Sequence, residues 1–300
     1  MAQTFLVTNI QTGNFEGLID FITEVNYKDT PLLTKSGRTK AKAINHEWMT
    51  QALKAGASNN RAEGYSPSFA ASDITARARR ANQCQILALP FSVSGTQDAV
   101  DKAGIGMNSE YEYQKDIKFK ELALDIDFEL IRSTIVTRDA DAGTAGEMDG
   151  LAAWAGGNRL IAAGGAILTE DLYNQLCQIL KEAGGSPDTV YCAGFQKRAI
   201  TGWSTPIRQM DHKDKKLVNA VGSYDGDWGT QTIVWDNQMP TDELLVCEMK
   251  YINIAYLRPV EHFELGRTRD NRQGYVLSEL TLEVKAPQTV GRFTGLATAA

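Results

Sequence analysis

The sequence predicts an α+β protein: one long helix packed across an antiparallel sheet, with a compact α/β unit and an extended β-hairpin attached. Three observations carry this reading. Residues 108–137 keep a helical apolar spacing over an unusual length. From Asp225 onward the chain alternates apolar and polar residues with the period of a strand. Between them, a helix–strand–helix run is compressed into residues 169–201.

Residues 1–30 mix Thr, Asn, Gly and isolated apolar residues without sustained periodicity, and Pro31 marks a break. An extended N-terminal arm is expected there. Residues 31–92 form a long excursion. Ile44, His46 and Trp48 alternate with Asn45, Glu47 and Met49, as in a strand. A polar tip follows, from Gly56 to Pro67, and the chain returns through Ile74–Arg80 and Gln83–Phe91. Such a hairpin holds too few large apolar residues to bury itself, and an isolated two-stranded ribbon is marginally stable. It needs something to lie on, and Trp48, which needs a packing partner there, is a candidate subunit-interface residue.

The long helix is expected to open with a capping box at Ser109 and Glu112. Tyr113, Ile117, Leu124, Phe128, Ile131 and Ile135 form one apolar stripe, and Phe119, Leu122, Ile126 and Leu130 a second. At about 28 residues the rod would be about 42 Å long. Residues 139–168 are rich in Gly and Ala, with turns. A second helix opens at Thr169 and stops at Gly184-Gly185. A buried strand, Thr189–Ala193, and a helix from Phe195 to about Thr201 complete the compact unit. Thr230–Trp235 is a strand, and Leu244–Leu257 is long enough for one strand or two. Val260–Leu265 and Leu277–Lys285 bracket a turn at Arg267–Gly274. In the last strand Leu280, Leu282 and Val284 oppose Glu279, Thr281, Glu283 and Lys285, which describes a sheet with one wet face.

A chain of 300 residues buries roughly three quarters of its unfolded surface. No apolar run reaches the roughly 18 residues of a membrane helix. The start, Met1–Phe5, lacks a basic and apolar signal pattern, so a cytoplasmic product is expected. Cys84, Cys177, Cys192 and Cys247 have no metal-ligand spacing and read as reduced thiols. The net charge of −6 argues against sequence-independent DNA binding by the whole chain. Residues 28–80, however, hold ten Lys or Arg against four Asp or Glu, a local +6 that leaves −12 for the remainder. Either this segment of one copy lies on the acidic body of another, or it is a solvated basic loop.

Catalytic signatures are lacking. His46, His212 and His262 are scattered, and His46-Glu47 does not continue to a zinc-binding H-E-x-x-H. Gly104-Ile105-Gly106 lacks the third glycine and the leading strand of a dinucleotide turn. The acidic loop of Asp139, Asp141, Glu147 and Asp149 fails the EF-hand pattern, with Thr144 and Gly150 where Gly and Glu belong. Ser204 has no nucleophile environment. No catalytic, cofactor-binding or metal-binding residue and no cofactor is expected, and the protein reads as a non-enzyme.

Several segments in order resemble a known family. Val93–Val100 followed by the helix from Glu110–Gln114 through Asp125–Asp127 is similar to the major capsid proteins of tailed bacteriophages with the Hong Kong 97 fold. Gly184–Arg198 resembles that family's helix–strand–helix core. Trp228-Gly229, Met239–Asp242, Tyr256–Pro259 and Leu280–Val284 resemble its β segments, so the likeness runs from about residue 30 to 296. The resemblance implies an N-terminal arm at 1–30 and an extended loop with flanking strands at 31–92. It implies a peripheral domain with a spine helix at 93–150, an axial domain at 151–243, and a peripheral sheet with a C-terminal tail at 244–300. It implies self-assembly into hexamers and pentamers of an icosahedral shell that encloses double-stranded DNA. The expected partners are sister copies, portal, scaffolding and decoration proteins, with no membrane. The expected place is the virion capsid, assembled in the host cytoplasm. Arg77, Arg79 and Arg80 are expected to meet an acidic face next door, and Arg267, Arg269 and Arg272 to make contacts around local three-fold axes. Solvated charges are the other reading of both sets. An encapsulin-like nanocompartment is the alternative within the same architecture, and a metal-dependent hydrolase using the 139–149 loop is the alternative from another class.

Overall fold

In a computed structural model of the chain, the described residues are 29–54, 56–67, 74–100, 109–139, 141–203, 222–267 and 269–299. The expected arm, but for its last two residues, lies outside them, as do the Gly104–Gly106 turn, Ser204 and His212. Helix α1 (Pro31–Lys35) starts on a proline, whose missing amide hydrogen costs nothing at a helix start. Strand β1 (Gly37–Lys40) follows, then β2 (Asn45–Thr50), β3 (Ala78–Gln83) and β4 (Gln85–Ser94). Helix α2 (Gly95–Ala99) precedes the long helix α3 (Glu110–Arg132). Next come β5 (Leu160–Ala162), α4 (Glu170–Glu182), β6 (Thr189–Cys192) and α5 (Gly194–Trp203). The chain finishes with β7 (Ser223–Gly226), β8 (Gly229–Trp235), β9 (Leu244–Cys247), β10 (Ile252–Leu265), β11 (Asn271–Val284) and β12 (Gly291–Thr294).

These strands form a four-stranded sheet ordered β1-β10-β11-β4, a six-stranded sheet ordered β5-β12-β9-β6-β8-β7, and the ribbon β2-β3. The segment 244–257 divides: β9 joins the six-stranded sheet and β10 the four-stranded one. The chain beyond β11 also returns to the six-stranded sheet, as β12 between β9 and β5. Strand β3 pairs only with β2, while Gln85 onward crosses into the edge of the four-stranded sheet. The turn between β10 and β11 is tighter than the sequence suggested. Gly274 already lies in the ladder, opposite Glu264 and Phe91.

Helix α3 is shorter than its apolar spacing suggested, 23 residues or about 34 Å. Ser109 does not cap it. Its Oγ donates to Asp98 Oδ1 at 3.1 Å, and the same carboxylate oxygen accepts the Glu110 amide at 3.2 Å. Helix α2 thus caps α3 from outside, while Glu112 pairs with Lys115. The helix stops at a β-branched run, Thr134-Ile135-Val136-Thr137, in which Val136 bridges to Glu147. Gly150 lies against this end; a Cβ there would come within 2.8–2.9 Å of Glu129 O, Ile131 O and Ser133 N, so glycine is required. The second apolar stripe is the inward one. Leu122, Ile126 and Leu130 are buried against Val276, Leu280 and Leu282 of β11. Of the first stripe only Ile131 is buried, and Phe128 and Ile135 are exposed.

The six-stranded sheet is covered on both faces. Val190, Cys192, Leu244 and Val246 pack on α4 and α5 with Leu176, Leu180 and Ile200. Tyr191, Leu245 and Cys247 point the other way, into the same core as α3 and the four-stranded sheet. The α/β unit therefore shares a core with the long helix. The four-stranded sheet differs from expectation too, because Glu279, Thr281 and Glu283 are buried. Arg138 and Arg258 flank the Glu279 carboxylate at 3.0 and 2.8 Å. Thr39 Oγ1 and His46 Nε2 lie 3.0 and 3.1 Å from Glu283 Oε2. The ribbon base and the segment after α3 cover the face that alternation alone marks as wet.

Candidate subunit interface

The ribbon is two structures in one. Its base is tied to the body. Trp48 Nε1 donates to Val284 O at 3.1 Å, and its ring lies 5.5 Å from that of Trp154. Asn82 Nδ2 donates to Leu282 O at 2.7 Å and to Asp149 O at 3.0 Å, while its Oδ1 accepts the Asp149 amide. These bonds satisfy backbone groups that would otherwise be orphaned at the edge of β11. Beyond Thr50 the ribbon leaves the body, and all residues described from 51 to 67 and from 74 to 80 are exposed. Leu53 is 96% exposed, Ile74 78% and Met49 69%. Arg61 stacks over the Tyr65 ring at 4.7 Å, and Gln51 Nε2 donates to Thr75 O at 3.0 Å.

The structure divides the sequence candidates. Trp48 finds its partner in its own chain, so it anchors the ribbon. Arg77 precedes β3 and is exposed. Arg79 is exposed but pairs with Glu47 across the ribbon. Arg80, opposite Trp48 in the register, lies near Arg159; burial first and then the charge of Arg80 lower the pKa of Arg159. In the turn after β10, Arg267 and Arg269 are exposed. Arg272 is engaged internally: its guanidinium lies 4.1 Å over the Tyr111 ring, 3.1 Å from Glu264 and 3.8 Å from Asp98. Within the chain these contacts fasten the β10–β11 turn to the start of α3. Arg267, Asp98 and Asp270 line an open polar groove of about 570 Å³ beside it.

An acidic counterpart lies on the outer side of α3. Glu121, Asp125 and Glu129 follow one another at helical spacing of four, with Lys118 2.5 Å from Glu121. Desolvation first, then Glu121 and Glu129, raise the pKa of Asp125. Like charges at this spacing disfavour the helix, and an incoming cation relieves them. Alternation and helix stripes, which follow apolar residues, do not single out this row, although its spacing of four is present in the sequence.

The acidic loop is a turn. Asp139 Oδ1 accepts the amides of Asp141 and Ala142 at 3.0 and 3.2 Å, and Asp149 Oδ1 accepts that of Ile135 at 2.9 Å. All four cysteines are buried free thiols; desolvation pushes Cys84 up to about 11 and Cys192 to about 12, far from a reactive thiolate. Among the described residues, no helix is long and apolar enough to cross a membrane.

Comparison with solved structures places the architecture. The capsid asymmetric unit of cyanophage A-1(L) superposes with a TM-score of 0.73 at 13% identity, covering 98% of this chain and 100% of that one. A Gordonia phage Cozz chain gives 0.64 at 13%, covering 97% and 93%. The holo-SrpI encapsulin complex of Synechococcus elongatus gives 0.64 at 9%, covering 100% and 98%. None of the curated proteins matches. The fold is the Hong Kong 97-like one that the sequence resemblance implied. A family model described as the SU10 major capsid protein aligns with residues 3–297. With nearly its whole length inside that match, the chain belongs to the SU10 major capsid protein family and is a self-assembling capsid shell protein.

Proposed function

We propose that the protein forms the hexamers and pentamers of a tailed-bacteriophage shell that encloses double-stranded DNA, assembled in the host cytoplasm. The observation that carries this is the ribbon, tied down at its base and bare from Thr50 outward. Its returning strand, with Arg77, Arg79 and Arg80, lies on the Glu121–Asp125–Glu129 row of a neighbouring subunit. Arg267 and Arg269 make contacts around local three-fold axes. Multiplicity makes a shell of such moderate contacts strong. Residues 29–92 form the arm's end and the extended loop, 93–150 and the β10–β11 sheet the peripheral domain, and 151–243 the axial domain, with β9 and β12 added to the axial sheet. The shell meets portal, scaffolding and decoration proteins, and the subunit performs no catalysis.

The test is the triple change Arg77→Glu, Arg79→Glu and Arg80→Glu. The expected outcome is soluble, folded subunits that fail to close shells at physiological salt, seen by negative-stain microscopy. Normal shells from this variant rule out the basic-ribbon contact. The likeness to an encapsulin favours a second reading, a compartment for protein cargo. Nucleic acid inside native particles supports the phage shell, and a packed enzyme supports the compartment.

A further inference from the structure

Two aspartates meet in the dry seam between the long helix and the six-stranded sheet. Asp127 stands on the inward face of α3 among Leu122, Ile126 and Leu130, and Asp236 follows the end of β8; both are 0% exposed. Asp127 Oδ1 accepts the Leu33 amide of α1 at 2.8 Å, and Asp236 Oδ1 accepts the Gln238 amide at 2.8 Å. Each second oxygen, Oδ2, is buried without a donor. The two carboxyls are near enough for each to shift the other's titration. If both were ionised, neither orphan oxygen would have a donor and two like charges would face each other out of water. A proton on one carboxyl supplies the missing donor to the other.

The surrounding groups do not supply it. Arg132 of α3 attracts Asp236, but its Nε donates to Gln238 O at 2.5 Å. Tyr191 of β6 donates to Met249 Sδ, and Cys192 of β6 to Val234 O. Helix α1 offers only the backbone amides of Leu32 and Leu33. Burial first, and then Asp236, push the Asp127 carboxyl up to about 8; burial raises Asp236 as well.

We propose that Asp127 and Asp236 share one proton that fastens α1 and α3 to the end of β8, and that losing it loosens this seam. Its sign follows from linkage. The folded chain holds a proton that an unfolded aspartate releases near 3.9, so stability is fullest in acid and falls as pH rises from about 4 to about 8, by up to tenfold in the folding constant per unit. The device is independent of the ribbon contact and is measurable on unassembled subunits.

Infrared titration of the full chain tests it. A protonated-carboxyl C=O band is expected at neutral pH, vanishing around pH 8. Asp127→Asn keeps an acceptor for Leu33 and a donor for Asp236. It should remove the band and flatten the fall of thermal midpoint with pH, while hydrogen exchange at Leu33 and Gln238 no longer quickens in alkali beyond its intrinsic rise. The absence of any protonated carboxyl at neutral pH, or parallel pH–stability curves for the two proteins, overturns the proposal. Should Asp127→Asn fail to fold, the titration of the unaltered chain alone decides.

Discussion

Strands β6 and β9 bury every residue, whereas β2 buries none fully and β3 only its last two. The difference lies in what covers them. Helices α4 and α5 close one face of the six-stranded sheet, and the α3 core closes the other, so its central strands are apolar on both sides. The ribbon has the body beneath its base, and beyond Thr50 its described residues are exposed. One region is covered by the chain's own elements, and the other stands open.

Four substitutions can break or sharpen that contrast. Leu245→Ala removes a fully buried side chain from the shared core and should cost about 3–5 kcal/mol in urea unfolding of the subunit. A loss under about 1 kcal/mol would mean that the two sheets do not share a tight core. Glu279→Gln leaves Arg138 and Arg258 facing a neutral group in the covered face of β11; a loss of about 2–3 kcal/mol is expected, reduced from a fully buried pair because Arg258 is half exposed. Thermal unfolding reads it. Trp48→Ala removes the bond to Val284 and the Trp154 contact, worth about 1–2 kcal/mol. Faster hydrogen exchange in Asn45–Thr50 and Ala78–Gln83, with β6 and β9 unchanged, is the expected pattern; uniform loosening would count against a locally anchored base. Leu53→Ala should change subunit stability by less than about 0.5 kcal/mol yet lower the yield of closed particles. Unchanged yield would mean that the tip is merely solvated.

The sequence showed the elements better than their partners. Alternation in His46–Trp48 and in Leu280–Val284 located strands, and the Leu122–Ile126–Leu130 stripe located the inward face of the long helix. Thr169 capped as expected, its Oγ1 accepting the Leu172 amide. Sheet membership was not legible. Nothing local distinguishes β9 from β10, which are separated by one short turn of 3-10 helix at Met249–Tyr251 yet belong to different sheets. Glu279 and Glu283 looked wet because alternation records polarity, and their burial depends on Arg138, Arg258, His46 and Thr39 arriving from far along the chain. The same holds for the arginines: Arg272 is engaged by Tyr111, some 160 positions away, while Arg267, five positions before it, is exposed. Asp127 left no local sign: it alternates with Asp125 and Glu129 along the chain, and only the arrival of α1 and the end of β8 buries it.

Strand β5 reaches the six-stranded sheet only through β12, with Leu160 opposite Arg292 in a parallel pair. Joining residues so distant in sequence is slow, because the intervening chain must be organised first. Until β12 docks, β9 offers an open row of backbone donors and acceptors beside the apolar side chains of Leu244–Cys247. The β9 edge is therefore closed only by chain that follows it by some 45 positions, and a subunit truncated before Gly291 would expose that edge to its siblings.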